Sequence, residues 1–212
     1  MKRLNSEAIV VTALKRDIAQ GTLAPGTPLL QDELAARFRM SRVPIRDAIK
    51  ALEAEGMVEV LPNRTAMVVD HSRADIEEIF SMRAMLECDL LRRASALASA
   101  ADHEAVSEIV AMLDAVRTGE RFAQLDRELH EALYTPAFRP RQQEIVNRLG
   151  QQVARFYASS LELQGYFNEC QGGHHEIVSA FLKRDSNGAV KALASHLRAA
   201  ELKVLGLVKA QE

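Results

Sequence analysis

The sequence predicts a mainly α-helical protein, built from an N-terminal winged helix-turn-helix and a C-terminal all-helical bundle of six or seven helices. β-like alternation occurs only within the first 70 residues, where four of the six prolines also lie. From about Arg73 onward, apolar residues recur at helical spacing almost throughout. This change of pattern predicts two domains, residues 1–70 and residues 71–212. The first helix of the second domain is expected over about 73–99, either continuous or split near Glu87.

The composition predicts a folded chain with an aliphatic core. Hydrophobic residues make up 48% of the sequence, but aromatic residues only 5%, and there is no tryptophan. No stretch approaches the roughly 18 apolar residues of a membrane span, and the N-terminus lacks the apolar core of a signal peptide. Two isolated cysteines, Cys88 and Cys170, fit free thiols in a reducing compartment. We therefore expect a cytoplasmic protein without membrane contact.

The elements of the first domain follow in a fixed order. Apolar spacing predicts three helices, over about 6–21, 32–38 and 41–56. The third helix begins with Ser41 as its cap and has Pro44 in its first turn, where a missing N–H costs nothing. Two β-rich segments, 57–60 and 66–69, then predict a hairpin. Three helices followed by a hairpin make a winged helix-turn-helix.

Basic residues cluster between Arg37 and Lys50, where five basic side chains are opposed by a single acid, Asp47. Arg42, Arg46 and Lys50 recur every four residues, so they share one helical face. The opposite face is apolar: Ile45, Ala48, Ile49 and Leu52. Such a helix can enter a major groove, because arginine grips guanine edges or phosphates with two hydrogen bonds. A solvated charged face is commoner in general, but here the cluster, the short helix and the wing agree.

The run from Leu34 to Val58 resembles the core motif of GntR-type bacterial regulators. The resemblance implies that the Ser and the two Arg of the segment beginning at Ser41 contact operator DNA, and the wing segment 62–64 is also similar to that family. The residues expected at the DNA are Ser41, Arg42, Pro44, Arg46 and Arg64. Two positions depart from the usual pattern: Thr65 stands where many members have glycine, and Asp32 stands where some place a DNA-contacting arginine.

A second candidate site lies in the helical domain. Asp126 and His130 are four residues apart, so they face the same way on a predicted helix. The face is flanked by Leu125, Leu129 and Leu133, which predicts that it points inward. Buried Asp and His need partners, and His174 and His196 lie on two later predicted helices. Three imidazoles and one carboxylate suit Zn²⁺, Ni²⁺, Mn²⁺ or Fe²⁺, although the wide spacing alone is weak evidence.

The C-terminal part resembles the FCD effector domain of the FadR-like branch of GntR regulators. Its metal-binding members have Asp-x3-His, then a histidine that opens a His-x2-Ile segment, then a last histidine about one helix later. The corresponding residues are Asp126, His130, His174 and His196, and the resemblance implies that they bind a divalent transition metal, Zn, Ni, Mn or Fe. His175 could replace His174 if the helix is rotated, and Cys170 could join the ligands.

Arg83 and Glu87 are one turn apart on the first effector helix and match an Arg-x3-Glu pattern often seen there. They form either an ordinary i,i+4 ion pair or a site in which Arg83 faces the pocket and binds an acidic effector. The resemblance favours a small carboxylate as the effector. Operators with two-fold symmetry require two-fold proteins, so we also expect a homodimer.

Three alternatives compete with a metal-containing regulator. A di-iron enzyme needs two Glu-x-x-His motifs, and the sequence has neither these nor a phosphate loop or a nucleophile elbow, so we expect no enzymatic activity. A regulator with a metal-free ligand pocket stays open as the alternative function. A structural DNA-binding protein without an effector does not need a helical domain of this length.

Overall fold

The computed structural model describes residues 6–116, 120–161 and 164–208. The chain divides into two compact units between His71 and Ser72. In the described residues, no helix is both long enough and apolar enough to cross a membrane.

The first unit is a winged helix-turn-helix, as the sequence predicts. Its elements are α1 (Ser6–Ala19), α2 (Gln31–Phe38), α3 (Arg42–Ala54), β1 (Val58–Val60) and β2 (Ala66–Val68). The strands pair antiparallel, with Val58 opposite Val68. The apolar faces of the three helices and the inward residues of the strands form one core, which includes Val10, Leu14, Ile45, Ala48 and Leu52.

The turn between α2 and α3 is short because Arg39 adopts a left-handed conformation with φ of 53°. The backbone N–H groups of Arg39 and Met40 donate to Ala36 and Ala35, which satisfies carbonyls at the end of α2. The chain is thereby redirected within two residues, and this places the first turn of α3 beside α2.

The second unit is an all-helical bundle, also as predicted. Its elements are α4 (Arg73–Leu97), α5 (Ala100–Ala115), α6 (Glu120–Tyr134), a 3-10 turn (Thr135–Ala137), α7 (Pro140–Leu161), α8 (Gln164–Leu182) and α9 (Ser186–Leu207). The first of these, α4, continues through Glu87 without the break that the sequence allowed. Side-chain and backbone hydrogen bonds of a capping box begin both α4 and α5.

Two apolar clusters hold the bundle together. The larger one joins α4, α5, α6, α8 and α9 and includes Leu90, Phe122, Leu129, Phe181 and Leu193. The smaller one joins the start of α4 to α7 and the end of α9, through residues such as Ile76, Phe80, Val153 and Val204. Because α4, α6, α8 and α9 meet along this core, polar side chains on their inward faces are brought together.

Candidate functional site

The outer face of α3 is basic and exposed, as its spacing predicts. Arg42, Arg46 and Lys50 are exposed, whereas Ile45 and Ala48 on the opposite face are fully buried. The apolar face fixes the rotation of α3 against α1, so the basic stripe is turned to solvent along its whole length. A stripe of this kind can lie against a polyanion.

Two acids lie beside the arginines of this stripe. Arg42 Nη2 donates to Asp32 Oδ2 of α2 at 2.7 Å, and its Nε pairs with Asp32 Oδ1. Arg46 lies 3.3 Å from the carboxylate of its neighbour Asp47. The side chains of the first pair are 70% and 68% exposed, so water screens the attraction, and such pairs are worth only about 0–1 kcal/mol. A phosphate or a base edge can therefore compete for these guanidinium groups.

Ser41 stands at the N-cap of α3 but, within the described residues, its side chain bonds no backbone N–H of that helix. Pro44 is half-buried in the first turn.

At the tip of the hairpin, Arg64 is exposed and adopts a left-handed φ of 67°. Thr65 N donates to Asn63 Oδ1 at 3.0 Å. The left-handed position of the wing is therefore Arg64 and not the neighbouring Thr65.

The four residues singled out in the helical domain come together. Asp126 and His130 on α6, His174 on α8 and His196 on α9 each offer one ligand atom, and these atoms lie within 4.8 Å of one another. The three imidazole ring centroids are 4.7 to 5.5 Å apart. His174 Nε2 lies 3.0 Å from Asp126 Oδ1. We call these four residues the histidine cluster.

Helix packing explains how three helices supply the cluster. The leucines that flank Asp126 and His130 on α6, Leu125, Leu129 and Leu133, are fully buried. Their burial turns this face of α6 toward α8 and α9. Gly173 precedes His174 and lets α9 approach closely, since a Cβ on Gly173 would lie 2.6 Å from His196 Nδ1. The His196 ring therefore occupies space that any other residue at position 173 would fill.

The structure distinguishes His174 from the two neighbouring residues that the sequence also offered as ligands. His174 is fully buried, whereas His175 is exposed and pairs with Asp114 at 2.9 Å. Cys170 is buried, with its Sγ 3.8 Å from His174 Nε2. Burial raises the pKa of the Cys170 thiol. The buried member of the histidine pair is thus the one that faces the cluster.

The protonation chemistry of the cluster suits a metal ion. Burial lowers the pKa of both His130 and His196. For His196 the other two imidazoles add to the effect of burial, and its pKa lies well below its ordinary value. Burial raises the pKa of Asp126, but the hydrogen bond with His174 and the charges of the three histidines outweigh this, so the pKa of the carboxyl lies below its ordinary value. Neutral imidazoles beside a carboxylate are the protonation states that metal ions bind.

The hydrogen bonds around His174 leave its Nε2 facing a carboxylate oxygen. Gln171 Nε2 donates to Asp114 Oδ1 at 3.2 Å, so the Gln171 Oε1 faces His174 Nδ1, also at 3.2 Å, and accepts its proton. In a neutral imidazole, Nε2 then carries a lone pair directed at an Asp126 oxygen 3.0 Å away. Two acceptors this close attract only through a proton or a cation. Adjacent ligands on an ion with bonds of about 2.1 Å lie about 3 Å apart, so the donor set fits a metal.

A chain of hydrogen bonds connects the cluster to α4. Arg83 Nε donates to Glu87 Oε1 at 2.7 Å, and Tyr134 O–H donates to Glu87 Oε2 at 2.6 Å. The Tyr134 oxygen lies 3.0 Å from His130 Nδ1. The Arg83 guanidinium also lies over the Phe80 ring, 5.2 Å from its centroid. Arg83 and Glu87 form the i,i+4 ion pair that the sequence offered as one alternative, and the pair is buried, with Arg83 9% exposed and Glu87 1%.

Sequence reasoning missed three polar residues around the cluster. Tyr134 follows His130 by four residues and Gln171 precedes His174 by three, so helical spacing could have placed both beside a ligand. Asp114 gave no local signal, because 57 residues separate it from Gln171.

The chain is similar to known bacterial regulators. Residues 78–199 match the FCD domain family, and residues 6–68 match the family described as bacterial regulatory proteins, gntR family. The HTH-type transcriptional repressor RspR of Escherichia coli is 28% identical over 188 residues, which are 87% of this chain and 82% of that protein. The gluconate operon transcriptional repressor of Bacillus licheniformis is 29% identical over 126 residues, 59% of this chain and 50% of that protein.

The fold also recurs in solved structures. E. coli McbR/YncC superposes with a TM-score of 0.80 at 20% identity, covering 97% of this chain and all of that one (100%). At this level of identity the likeness shows the fold alone.

Proposed function

The chain belongs to the gntR family of bacterial regulatory proteins and carries an FCD domain, and we propose that a small organic acid bound at a divalent metal in its helical unit controls its affinity for operator DNA. Its relatives are DNA-binding transcriptional regulators, not enzymes. The observation that carries the proposal is the convergence of Asp126, His130, His174 and His196, whose four ligand atoms lie within 4.8 Å of one another.

Operator DNA binds along the exposed face of the first unit in this proposal. The recognition surface consists of Ser41, Arg42, Pro44, Arg46 and Arg64. The arginines of α3 bind base edges or phosphates in the major groove, and Arg64 is at the tip of the wing. A homodimer presents two such surfaces to a two-fold operator. A monomer in light scattering at micromolar concentration, with and without DNA, would contradict this assembly.

The histidine cluster holds the metal in this proposal, with Asp126, His130, His174 and His196 as the protein ligands. Its nitrogen and carboxylate donors suit Zn²⁺, Ni²⁺, Mn²⁺ or Fe²⁺. When bound, the cation supplies a positive charge and open positions that a carboxylate can occupy. A carboxylate effector is supported by the similarity to the gluconate operon transcriptional repressor, because gluconate is an organic acid.

Arg83 is the second anchor for the effector in this proposal. Its guanidinium can bind a carboxylate with two parallel hydrogen bonds. Hydrogen bonds through Glu87 and Tyr134 connect it to His130 of the cluster. An acid with one end at the metal and the other at Arg83 would tie α4 to α6, α8 and α9.

Thermal unfolding of the full-length protein tests the metal site. We expect Zn²⁺, Ni²⁺ or Mn²⁺, added singly after chelator treatment, to raise the melting temperature, because a ligand that binds the folded state stabilises it. At 100 times the dissociation constant the gain is about 2.7 kcal/mol, or roughly 5–10 °C for a chain of this size. The shift should vanish in His130→Ala and His196→Ala.

His103→Ala is the matched control, because His103 lies on α5 against Phe181, with ring centroids 5.4 Å apart, and contributes nothing to the cluster. This variant should keep the full metal shift. A wild-type melting temperature that ignores all three metals would contradict the metal site and favour a metal-free ligand pocket.

A further inference from the structure

Four residues form a continuous chain of hydrogen bonds from α4 to the histidine cluster: Arg83, Glu87, Tyr134 and His130. We call them the relay. We propose that Glu87 and Tyr134 are positioning residues that fix which nitrogen of His130 binds the metal and that couple metal affinity to anion binding at Arg83. This inference rests on the metal site of the proposed function and adds a regulatory link to it.

The direction of each hydrogen bond follows from the donors present. A carboxylate paired with a guanidinium has only acceptors, so Tyr134 must donate its single hydroxyl proton to Glu87 Oε2. Toward His130 the same oxygen can only accept, and His130 Nδ1 must donate across the 3.0 Å contact. The lone pair of His130 is therefore on Nε2. The hydrogen bond made by one ring nitrogen decides which nitrogen is left for a metal.

Burial excludes water from the central hydrogen bonds of the relay and strengthens them. Glu87 and Tyr134 are each 1% exposed, so neither can exchange its partner for water. Hydrogen bonds in such surroundings are stronger than in water, and bonds in a chain polarise one another. Because both oxygens of Glu87 belong to the relay, a change at Arg83 alters the bond that Glu87 makes with Tyr134.

The sign of the coupling follows from this arrangement. An anion that binds Arg83 draws the guanidinium away from Glu87, whose carboxylate then accepts more strongly from Tyr134. The Tyr134 oxygen becomes a better acceptor for His130, and His130 Nε2 becomes a better donor to a cation. Anion binding at Arg83 should therefore raise metal affinity, and metal should raise anion affinity by the same factor.

His174 provides an internal comparison. Its Nδ1 is held by Gln171, whose amide donates to Asp114 on α5 rather than to a residue of α4. Both histidines thus have an oriented ring, but only His130 is oriented through the carboxylate that also holds Arg83. Loss of Gln171 should weaken metal binding without affecting the coupling to Arg83.

The first test is the Zn²⁺ affinity of the full-length protein, measured by competition with a chromophoric chelator. Tyr134→Phe removes one oxygen and should lower the affinity about 10- to 100-fold. Ser95→Ala removes another fully buried hydroxyl, one bonded to Leu91 O elsewhere on α4, and should leave the affinity unchanged. Wild-type affinity in Tyr134→Phe would contradict the relay, whereas a wild-type protein that binds no Zn²⁺ would contradict the metal site itself and the relay with it.

Nitrogen-15 NMR of histidine-labelled, metal-free protein separates positioning from a general loss of structure. In the wild type, His130 should be protonated at Nδ1 and not at Nε2. In Tyr134→Phe, His130 should populate both tautomers, while His174, held by Gln171, should not change. Equal changes in both histidines would indicate a structural effect and contradict a specific role for Tyr134.

The second test measures the coupling with Zn²⁺ alone. Arg83→Gln removes a positive charge, so Zn²⁺ should bind more tightly in this variant than in wild type. If the relay transmits part of the effect, the gain should shrink in the Tyr134→Phe background and stay complete in the Gln171→Met background. An equal gain in all three backgrounds would mean that Arg83 acts only through its long-range charge, and it would overturn the coupling.

Discussion

Asp32 is an acid in the middle of a surface expected to bind a polyanion. It holds the Arg42 guanidinium by two contacts. The pair has two opposing effects on DNA affinity. It orients Arg42 before DNA arrives, but it also brings a negative charge to the phosphates and must be loosened when Arg42 turns to DNA.

We expect the second effect to dominate, because an exposed ion pair contributes at most about 1 kcal/mol. Asp32→Asn should raise affinity for DNA of arbitrary sequence by up to about fivefold and should steepen its dependence on salt. Fluorescence anisotropy at several salt concentrations measures both. Glu33→Gln makes the same charge change one residue along α2 and should have a smaller effect.

Wild-type operator binding by the double variant Arg42→Ala/Arg46→Ala would show that α3 is not the DNA-binding helix.

Gly173 is a single position on which the histidine cluster depends. Gly173→Ala would place a Cβ 2.6 Å from His196 Nδ1, a distance that forces the His196 ring to move. We expect a loss of Zn²⁺ affinity of at least tenfold, similar to other changes beside a metal ligand. The chelator competition assay measures it.

Gly172→Ala is the matched control for this substitution. It lies one residue earlier on α8, is exposed, and has nothing within 4 Å of the added Cβ. Alanine favours a helix over glycine by up to about 1 kcal/mol, so this variant should be more stable and bind Zn²⁺ like wild type. Equal Zn²⁺ affinity in the two variants would contradict the close approach of α9 to Gly173.

At the scale of the element, helix α6 carries three polar residues of the site on one face. Asp126, His130 and Tyr134 follow one another at four-residue spacing, so they lie above one another on the same face. In the proposed metal site, the same helix therefore supplies two ligands and the residue that orients one of them. Its leucines keep that face turned inward.

The capping box of α5 gives a prediction about stability and pH. The side-chain and backbone hydrogen bonds of Ser99 hold the pKa of Asp102 below its ordinary value. A carboxyl whose pKa is lower in the folded protein stabilises the fold above its ordinary pKa, and this stabilisation is lost as the pH falls through the folded-state value. Ser99→Ala should cost about 1 kcal/mol at pH 7.

The cost should be smaller at an acidic pH that protonates Asp102 than at pH 7. Thermal unfolding of metal-free protein at both pH values, followed by circular dichroism, measures this difference. Ser107→Ala removes a hydroxyl from the middle of the same helix, where it bonds only the carbonyl of His103, and should show no such pH dependence. A constant difference between wild type and Ser99→Ala across the pH range would contradict the assigned role of the cap.

For the whole molecule, the central prediction is that effector and DNA binding are linked. An effector changes operator affinity only if it binds the two states of the protein unequally. A panel of mono- and dicarboxylates, titrated into the operator complex of wild type, Arg83→Ala and His130→Ala, tests this. The acid that releases or tightens the wild-type complex should act weakly on both variants. An acid that acts equally on all three would place the effector site elsewhere.

The sequence by itself determined the elements and the faces that they present. The helix-turn-helix follows from local apolar spacing and turn residues, and the basic stripe of α3 from a four-residue repeat. The shared face of Asp126 and His130 is a property of any α-helix. Such features depend on residues within a few positions of one another, so they can be predicted without knowledge of the tertiary structure.

Only the tertiary structure decided which faces meet. It buried His174 and left its neighbour His175 exposed, and it brought Tyr134 to Glu87 across 47 residues of sequence. It also placed Gly173 against His196. Periodicity tells which side of a helix is apolar, but the rotation and separation of two packed helices depend on all the side chains between them. The partners of a buried polar group are therefore set by packing across the whole core and not by local sequence.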